Sequence, residues 1–216
     1  MLKLYGYWRS SAAYRVRIAL NLKGLAYEQI PVHLVKDGGQ QHAADYRALN
    51  PQGLLPLLVD EEGGGVRIAQ SLAIIEYLEE IFPLPALLPA DPAERAQVRA
   101  LALHIACDVH PLNNLRVLHY LSSELGVDDK AKNAWYRHWV ELGLAAVEEG
   151  LATFDGRLSL GSRPGYLEAC LIPQLYNARR FACDLAAYPR ILDLAARCEP
   201  LEAFSLAAPE AQPDAQ

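Results

Sequence analysis

Two adjacent hydroxyls, Ser10 and Ser11, stand where one periodicity gives way to another. Leu2–Tyr7 reads as a short apolar strand. From Ala12 onward, Val16, Ala19 and Leu20 recur at helical spacing, and Gly24 closes the run as a C-terminal cap. The serines therefore sit at a helix start, where unpaired backbone N–H groups and the positive end of the helix dipole favour an anion. A thiolate is one candidate; ordinary N-capping is the other use of serine at such a place. Arg15, one turn further on, either adds to the positive field or braces the domain. A second helix start, Gln70-Ser71, precedes Ile74, Tyr77, Leu78 and Ile81 on one face. With Ser71 as its cap it offers another anion site.

The remaining reactive side chains form no comparable group. Cys107, Cys170, Cys183 and Cys198 are far apart with no CxxC, and the six histidines include no HExxH. They read as reduced, mostly buried thiols, with no disulfide framework and no metal site. A net charge of −6 argues against nucleic acid and against an anionic membrane as partner. Mean hydropathy is close to zero, and no apolar run reaches the length of a membrane span. Met1-Leu2-Lys3-Leu4-Tyr5 is a strand start without the apolar core of a signal peptide. The expectation is a cytoplasmic protein.

The elements that must position these residues fall into two regions, an α/β domain over residues 1–83 and an all-helical domain over 92–216. In the first, strands at Leu2–Tyr7 and Tyr27–Leu34 flank the first helix. The polar loop Lys36-Asp37-Gly38-Gly39-Gln40-Gln41 leads to a short helix near Ala43–Leu49, stopped by Asn50-Pro51. Leu57–Val59 and Val66–Ile68 flank an acidic, Gly-rich turn as a hairpin, and the helix from Ser71 completes a βαβαββα order. Pro83, Pro85, Pro89 and Pro92 mark residues 84–91 as a linker. Asp91-Pro92-Ala93-Glu94 then restarts a helix with a cap, a first-turn proline and an acid. Pro111–Leu121, Ala131–Phe154, Tyr166–Arg180 and Arg190–Cys198 supply further helices, Pro173 is expected to kink the third of these four, and the tail after Ala207 is expected to fray.

A βαβαββα unit followed by helices resembles the glutathione transferases, with a thioredoxin-like first domain and a helical bundle after it. The motifs resemble the zeta class in particular, which contains maleylacetoacetate isomerase. They are Arg9-Ser10-Ser11-Ala12-Ala13-Tyr14-Arg15, Lys36–Gln41, Leu49-Asn50-Pro51-Gln52-Gly53, Gln70-Ser71-Leu72-Ala73-Ile74, His110-Pro111-Leu112-Asn113-Asn114, Ile172-Pro173-Gln174, Arg180-Phe181 and Gln212-Pro213-Asp214. The resemblance implies glutathione as cofactor, a homodimer, and cis–trans isomerisation of a maleyl dicarboxylate by reversible addition of the glutathione thiolate. Maleylacetoacetate to fumarylacetoacetate, a step of aromatic amino-acid catabolism, is the favoured reaction. Maleylpyruvate isomerisation, general conjugation of electrophiles and non-catalytic glutathione binding are the alternatives. It implies catalytic roles for Ser10, Ser11 and Arg15. The cofactor falls to Ser10, Gln41, the backbone of Leu55 at a cis Leu55-Pro56 turn, Gln70, Ser71 and Asn114. The substrate carboxylates fall to Arg9, then Arg116, then Arg179, with Arg180 its neighbour.

Lowering a cysteine thiol pKa from about 8.5 by two units needs about 2.7 kcal/mol. A helix terminus supplies about 0.3–2 kcal/mol and a hydrogen bond to a charged acceptor about 1.5–3 kcal/mol, so the two together suffice. The chain departs from the family at Ala12, where cysteine is usual, which leaves the borrowed thiol as the nucleophile. In place of the usual Thr cap and Asp it has Ser162-Arg163-Pro164-Gly165-Tyr166-Leu167-Glu168, with Gly165 as cap and Glu168 expected to reach back. Arg179-Arg180 leaves maleylacetoacetate and maleylpyruvate both open, an extra arginine suiting the smaller substrate.

Overall fold

A computed structural model describes residues 1–155, 157 and 159–216. It divides into two compact units, Met1–Leu87 with Pro200–Gln216, and Leu88–Glu199. In the first unit, β1 (Leu2–Gly6), β2 (Tyr27–Pro31), β3 (Leu57–Asp60) and β4 (Val66–Ala69) form one sheet in the order β2-β1-β3-β4. β1 and β2 are parallel, with Gly6 opposite Pro31, while β3 runs antiparallel to both neighbours. The parallel pair needs a crossover, and α1 (Ser11–Leu22) provides it. α2 (Ala44–Leu49) and α3 (Ser71–Ile81) complete the expected βαβαββα order. The core of this unit is built from alternate strand residues, Leu4 and Leu58, and from Val16, Ile18, Leu20, Ile74, Ile75 and Leu78 of α1 and α3, all fully buried. Each such aliphatic side chain contributes roughly 1.5–3 kcal/mol on leaving water.

In the second unit α4 (Pro92–Leu103) begins as expected, with Asp91 accepting the N–H groups of Ala93 and Glu94. The helix expected over Pro111–Leu121 begins later. One π turn (His104–Val109) and a 3-10 turn (His110–Asn113) come first, and α5 runs over Leu115–Ser123. Asn114 ends the 3-10 turn in extended backbone and its side chain caps α5, a local competition that apolar periodicity does not report. α6 (Asp129–Leu151), α7 (Tyr166–Arg180) and α8 (Pro189–Cys198) follow, and α7 continues through Pro173 as one helix. The cap of α7 forms through Glu168, whose carboxylate accepts the N–H of Gly165 at 2.8 Å and the N–H of Ser159 at 2.7 Å.

The expected domain limits need correction at two places. The stretch after Phe82, read as linker from its prolines, is anchored to the first unit as far as Leu87. The buried Lys23 ammonium donates to the carbonyls of Phe82 and Pro85 and pairs with Glu79, and Glu79 also accepts the Leu87 N–H. The tail, expected to be part of the helical domain and frayed, belongs to the first unit. α9 (Glu202–Ser205) and the 3-10 turn Pro209–Ala211 are tied to α1, because Asn21 and Arg17 donate to the carbonyls of Ala203 and Ala207. A polar, proline-containing tail orders when its carbonyls find donors in a neighbouring helix, and nothing in its own composition announces those donors.

Candidate active site

The strand register collects the candidate residues of the first unit. Gly6 ends β1 opposite Pro31, so the turn toward Ser10 and the loop after β2 leave the sheet at one end. Tyr5 lies opposite Leu57 and Leu57 opposite Ala69. Leu55-Pro56, entering β3, and Gln70-Ser71, leaving β4, therefore meet the same end.

Ser10 is the N-cap of α1, in extended backbone at φ −68° and ψ 114°. Its N–H donates to Tyr7 O at 2.9 Å, closing the turn, and its Oγ accepts the Ala13 N–H at 3.2 Å. That bond occupies an oxygen lone pair and leaves the hydroxyl proton for another acceptor. The first turn of α1 holds no acidic residue to cancel the dipole. Ser11, the first helical residue, is buried and already engaged within the protein. Of the two serines, Ser10 is the one partly exposed.

Arg15 is 2% exposed, and its Nη1 donates to Ser71 Oγ at 3.2 Å. Its charge thus reaches the start of α3, whose first turn also lacks acids. The expected cap of α3 is corrected by one residue. Gln70 is the capping position, and Ser71 is the first residue of the helix, its hydroxyl facing Arg15. Gln70 has φ 71°, a left-handed conformation costly for a residue with a Cβ. Its Nε2 donates to Gln52 Oε1 at 2.8 Å.

The Leu55–Pro56 bond is cis. Among the described residues the N–H and C=O of Leu55 take no protein partner, so both remain for a peptide laid alongside as an extra strand. The turn is held from behind by Tyr46 of the short helix and by Asn50 of the motif that follows it, neither of which the sequence by itself assigns a site role. The Tyr46 hydroxyl and Asn50 Nδ2 both donate to Leu54 O, at 2.6 and 2.8 Å, and Asn50 Oδ1 accepts the Gln52 N–H. Burial pushes the Tyr46 phenol up to about 12, so it stays protonated as a donor. The only advance signal was that Asn50, Gln52 and Gly53 stand together before a proline turn.

Gln41 is 8% exposed, with Nε2 at 3.4 Å from Leu34 O and 3.1 Å from His42 Nε2. Its Oε1 is buried and has no partner among the described residues, an acceptor waiting for a donor. His33 shapes the loop that carries it, its Nδ1 accepting the N–H groups of Val35 and Lys36. An amide donor and acceptor pair, a bare helix start with a hydroxyl, and a second helix start backed by a guanidinium match the amide backbone, thiol and carboxylate of glutathione.

Arg9 lies with its guanidinium carbon 4.5 Å from the Trp8 ring centre, without an ion-pair partner among the described residues. The second unit holds Asn114, Arg116 and Arg179. Asn114 Oδ1 accepts the Arg116 N–H at 3.1 Å, and its Nδ2 lies 3.3 Å from His110 Nε2. Arg116 is exposed and has no ion pair among the described residues, whereas Arg179 is bound to Glu199. Arg180 instead lies over Phe181, which stacks on Tyr136 with ring centres 3.6 Å apart. All four cysteines belong to the second unit, and none is in a disulfide. Burial pushes the Cys183 and Cys198 thiols up to about 11 and about 12, away from nucleophilic form. Among the described residues no His, Cys, Asp and Glu side chains gather as a metal site, and no helix is long and apolar enough to cross a membrane.

Residues 4–86 match the model of the glutathione S-transferase N-terminal domain. A probable maleylacetoacetate isomerase of Vibrio cholerae is 55% identical over 99% of this chain and 98% of its own length. The holo structure of a maleylpyruvate isomerase, a bacterial glutathione transferase of the zeta class, superposes with a TM-score of 0.93 at 48% identity, over 99% of this chain and all of that one. A maleylacetoacetate isomerase from Methylobacterium extorquens AM1, with bound malonate and glutathione, superposes with a TM-score of 0.92 at 41% identity, over 99% of both chains. Likeness of this degree, end to end in both sequence and fold, means that the chain belongs to the zeta class of the glutathione transferases, among the maleylacetoacetate and maleylpyruvate isomerases.

Proposed function

We propose that the protein is a glutathione-dependent cis–trans isomerase of a maleyl dicarboxylate, converting maleylacetoacetate to fumarylacetoacetate. The observation that carries this reading is the gathering, at one end of the sheet, of the Ser10 hydroxyl, the unpartnered Leu55 backbone and Ser71 backed by Arg15. When bound, glutathione supplies a thiolate that adds reversibly to the conjugated double bond and so permits rotation about it. Ser10 keeps its hydroxyl proton and donates a hydrogen bond to that sulfur, and the α1 N-terminus adds its dipole. Leu55 pairs with the cysteinyl backbone, and Gln41 takes a further polar group of the tripeptide. Gln70 and Ser71 hold the γ-glutamyl carboxylate, with Arg15 acting there rather than at the sulfur. Arg9 takes a substrate carboxylate, its cation being uncompensated in a protein of net charge −6. Of the second unit's candidates, Arg116 is proposed for substrate ahead of Arg179, which Glu199 already engages. Asn114 keeps its proposed cofactor contact through the amide group not spent on capping.

Arg179 also bears on the choice of substrate. With its guanidinium tied to Glu199, the Arg179-Arg180 pair does not present two free cations, and the argument for the more compact maleylpyruvate loses its support. A homodimer in the cytoplasm is proposed as well. The exposed Ile81 and Leu84 of the first unit and four cysteines outside any disulfide are consistent with it.

The test is an ultraviolet assay of maleylacetoacetate and maleylpyruvate, each with and without glutathione, for the wild type and Ser10→Ala. Glutathione-dependent isomerisation with total free thiol unchanged, faster on maleylacetoacetate and impaired by Ser10→Ala, is expected. Consumption of thiol would identify a conjugating transferase, and no glutathione-dependent change would leave only a binding protein.

A further inference from the structure

The turn that carries Ser10 is gripped by the far end of the chain. Trp8 donates its N–H to Asp214 Oδ2 at 3.1 Å, and Gln29 of β2 donates Nε2 to the other oxygen at 3.3 Å. Arg17, 1% exposed, donates Nη2 to Trp8 O at 2.9 Å, Nη1 to Tyr7 O at 3.4 Å and Nε to Ala207 O at 2.9 Å. The polar backbone groups leading into Ser10 are thus taken by the tail, or by a guanidinium that the tail itself holds. The tail is shaped for this, since Gln212 Nε2 donates to the carbonyls of Leu206 and Ala208 at 2.9 and 2.7 Å. Arg17 makes no direct ion pair among the described residues, and burial lowers it to about 10. A buried cation spent on three carbonyls is costly for stability, which sets this cluster apart from ordinary packing.

We propose that Asp214 is a positioning residue: its carboxylate, together with the Arg17 grip on Tyr7 and Trp8, fixes the Ser10 hydroxyl where it meets the glutathione sulfur. The inference rests on the glutathione reading above and extends it to a segment to which that reading assigns no ligand contact. A hydrogen bond to a thiolate weakens steeply with misalignment, so a loosened turn raises the thiol pKa while Leu55 and Ser71 still hold the tripeptide.

The experiment compares wild type, Asp214→Ala, Asp214→Asn and a chain ending at Gln212. The pKa of bound glutathione is read from thiolate absorbance, its affinity from calorimetry, and the exchange of the Trp8 and Ser10 amides in the protein alone. Asp214→Ala and the shortened chain are expected to raise the thiol pKa by about one unit, from about 6.5 to about 7.5, a roughly threefold loss of thiolate at pH 7. Glutathione affinity should change less than threefold, and both amides should exchange faster. Asp214→Asn keeps an acceptor for Trp8 and should restore the wild-type pKa. The shortened chain keeps the Arg17–Ala207 bond and so reads the same question if Asp214→Ala does not fold. A wild-type thiol pKa in both Asp214→Ala and the shortened chain overturns the proposal, as does equal impairment by Asn and Ala. Failure of the wild type to bind glutathione would instead overturn the functional reading, while the amide exchange would still report whether the tail holds the turn.

Discussion

Ser10 and Ser71 both stand at helix starts, yet they do different work because their neighbours differ. Ser10 accepts from Ala13 and keeps its proton, and among the described residues no cation is bonded to it. Ser71 receives the Arg15 guanidinium, so its surroundings favour a carboxylate. The two substitutions should therefore separate. Ser10→Ala is expected to raise the pKa of bound glutathione by one to two units and so to lower kcat/KM at pH 7 by about 3- to 25-fold. Its pH–rate profile should approach that of the wild type once the medium exceeds the raised pKa. Ser71→Ala is expected to weaken glutathione about tenfold by calorimetry and to leave the thiol pKa unchanged. A Ser71→Ala protein with normal affinity and an altered thiol pKa would reverse the assignments.

At the scale of elements, two carboxylates hold local geometry. Asp60 ends β3, and its oxygens accept the N–H groups of Glu62 and Gly63 and the Tyr77 hydroxyl. Burial by itself would raise this carboxyl, but the three hydrogen bonds outweigh it and hold it below its ordinary 3.8. The unfolded chain therefore binds the proton more readily than the folded one. The stabilisation is present above about pH 4 and is lost as pH falls through the lower folded value. Urea midpoints measured from pH 6 down to pH 2.5 should fall less steeply in Asp60→Asn than in wild type. Glu168 caps α7 and also satisfies the Ser159 N–H and hydroxyl while fully buried. Glu168→Ala leaves those donors without a partner, and denaturant unfolding should show a loss of about 2–4 kcal/mol. The replacement of the family's usual acid by a longer one thus leaves the cap intact, because the extra methylene still lets the carboxylate reach Gly165.

Across the whole molecule, the division of labour between units follows the cysteines. None lies in the first unit, three of the four are buried, and Cys107 is exposed. A thiol reagent should modify one cysteine quickly in the folded protein and four after unfolding, as counted by mass spectrometry. Alkylation of Cys107 should spare glutathione binding, because none of the residues proposed to hold the tripeptide is a cysteine. Rapid loss of binding on alkylation would show that a protein thiol takes part and would overturn the borrowed-thiol scheme.

Periodicity and punctuation were enough to read the βαβαββα order, the helix starts at Ser10 and Asp91 and the Glu168 cap, because each is settled by residues within about one turn of one another. The roles proposed for Leu55-Pro56 and Gln70-Ser71 came instead from the resemblance of their motifs to the zeta class. What local pattern could not supply was partnership at long range. That Arg15 serves Ser71, that Arg179 is spent on Glu199, that Tyr46 and Asn50 brace Leu54, and that residues 200–216 return to α1 all depend on groups brought together by the folded chain. A guanidinium or carbonyl has the same chemistry wherever it stands in sequence. Tertiary structure alone decides which partner desolvation forces upon it.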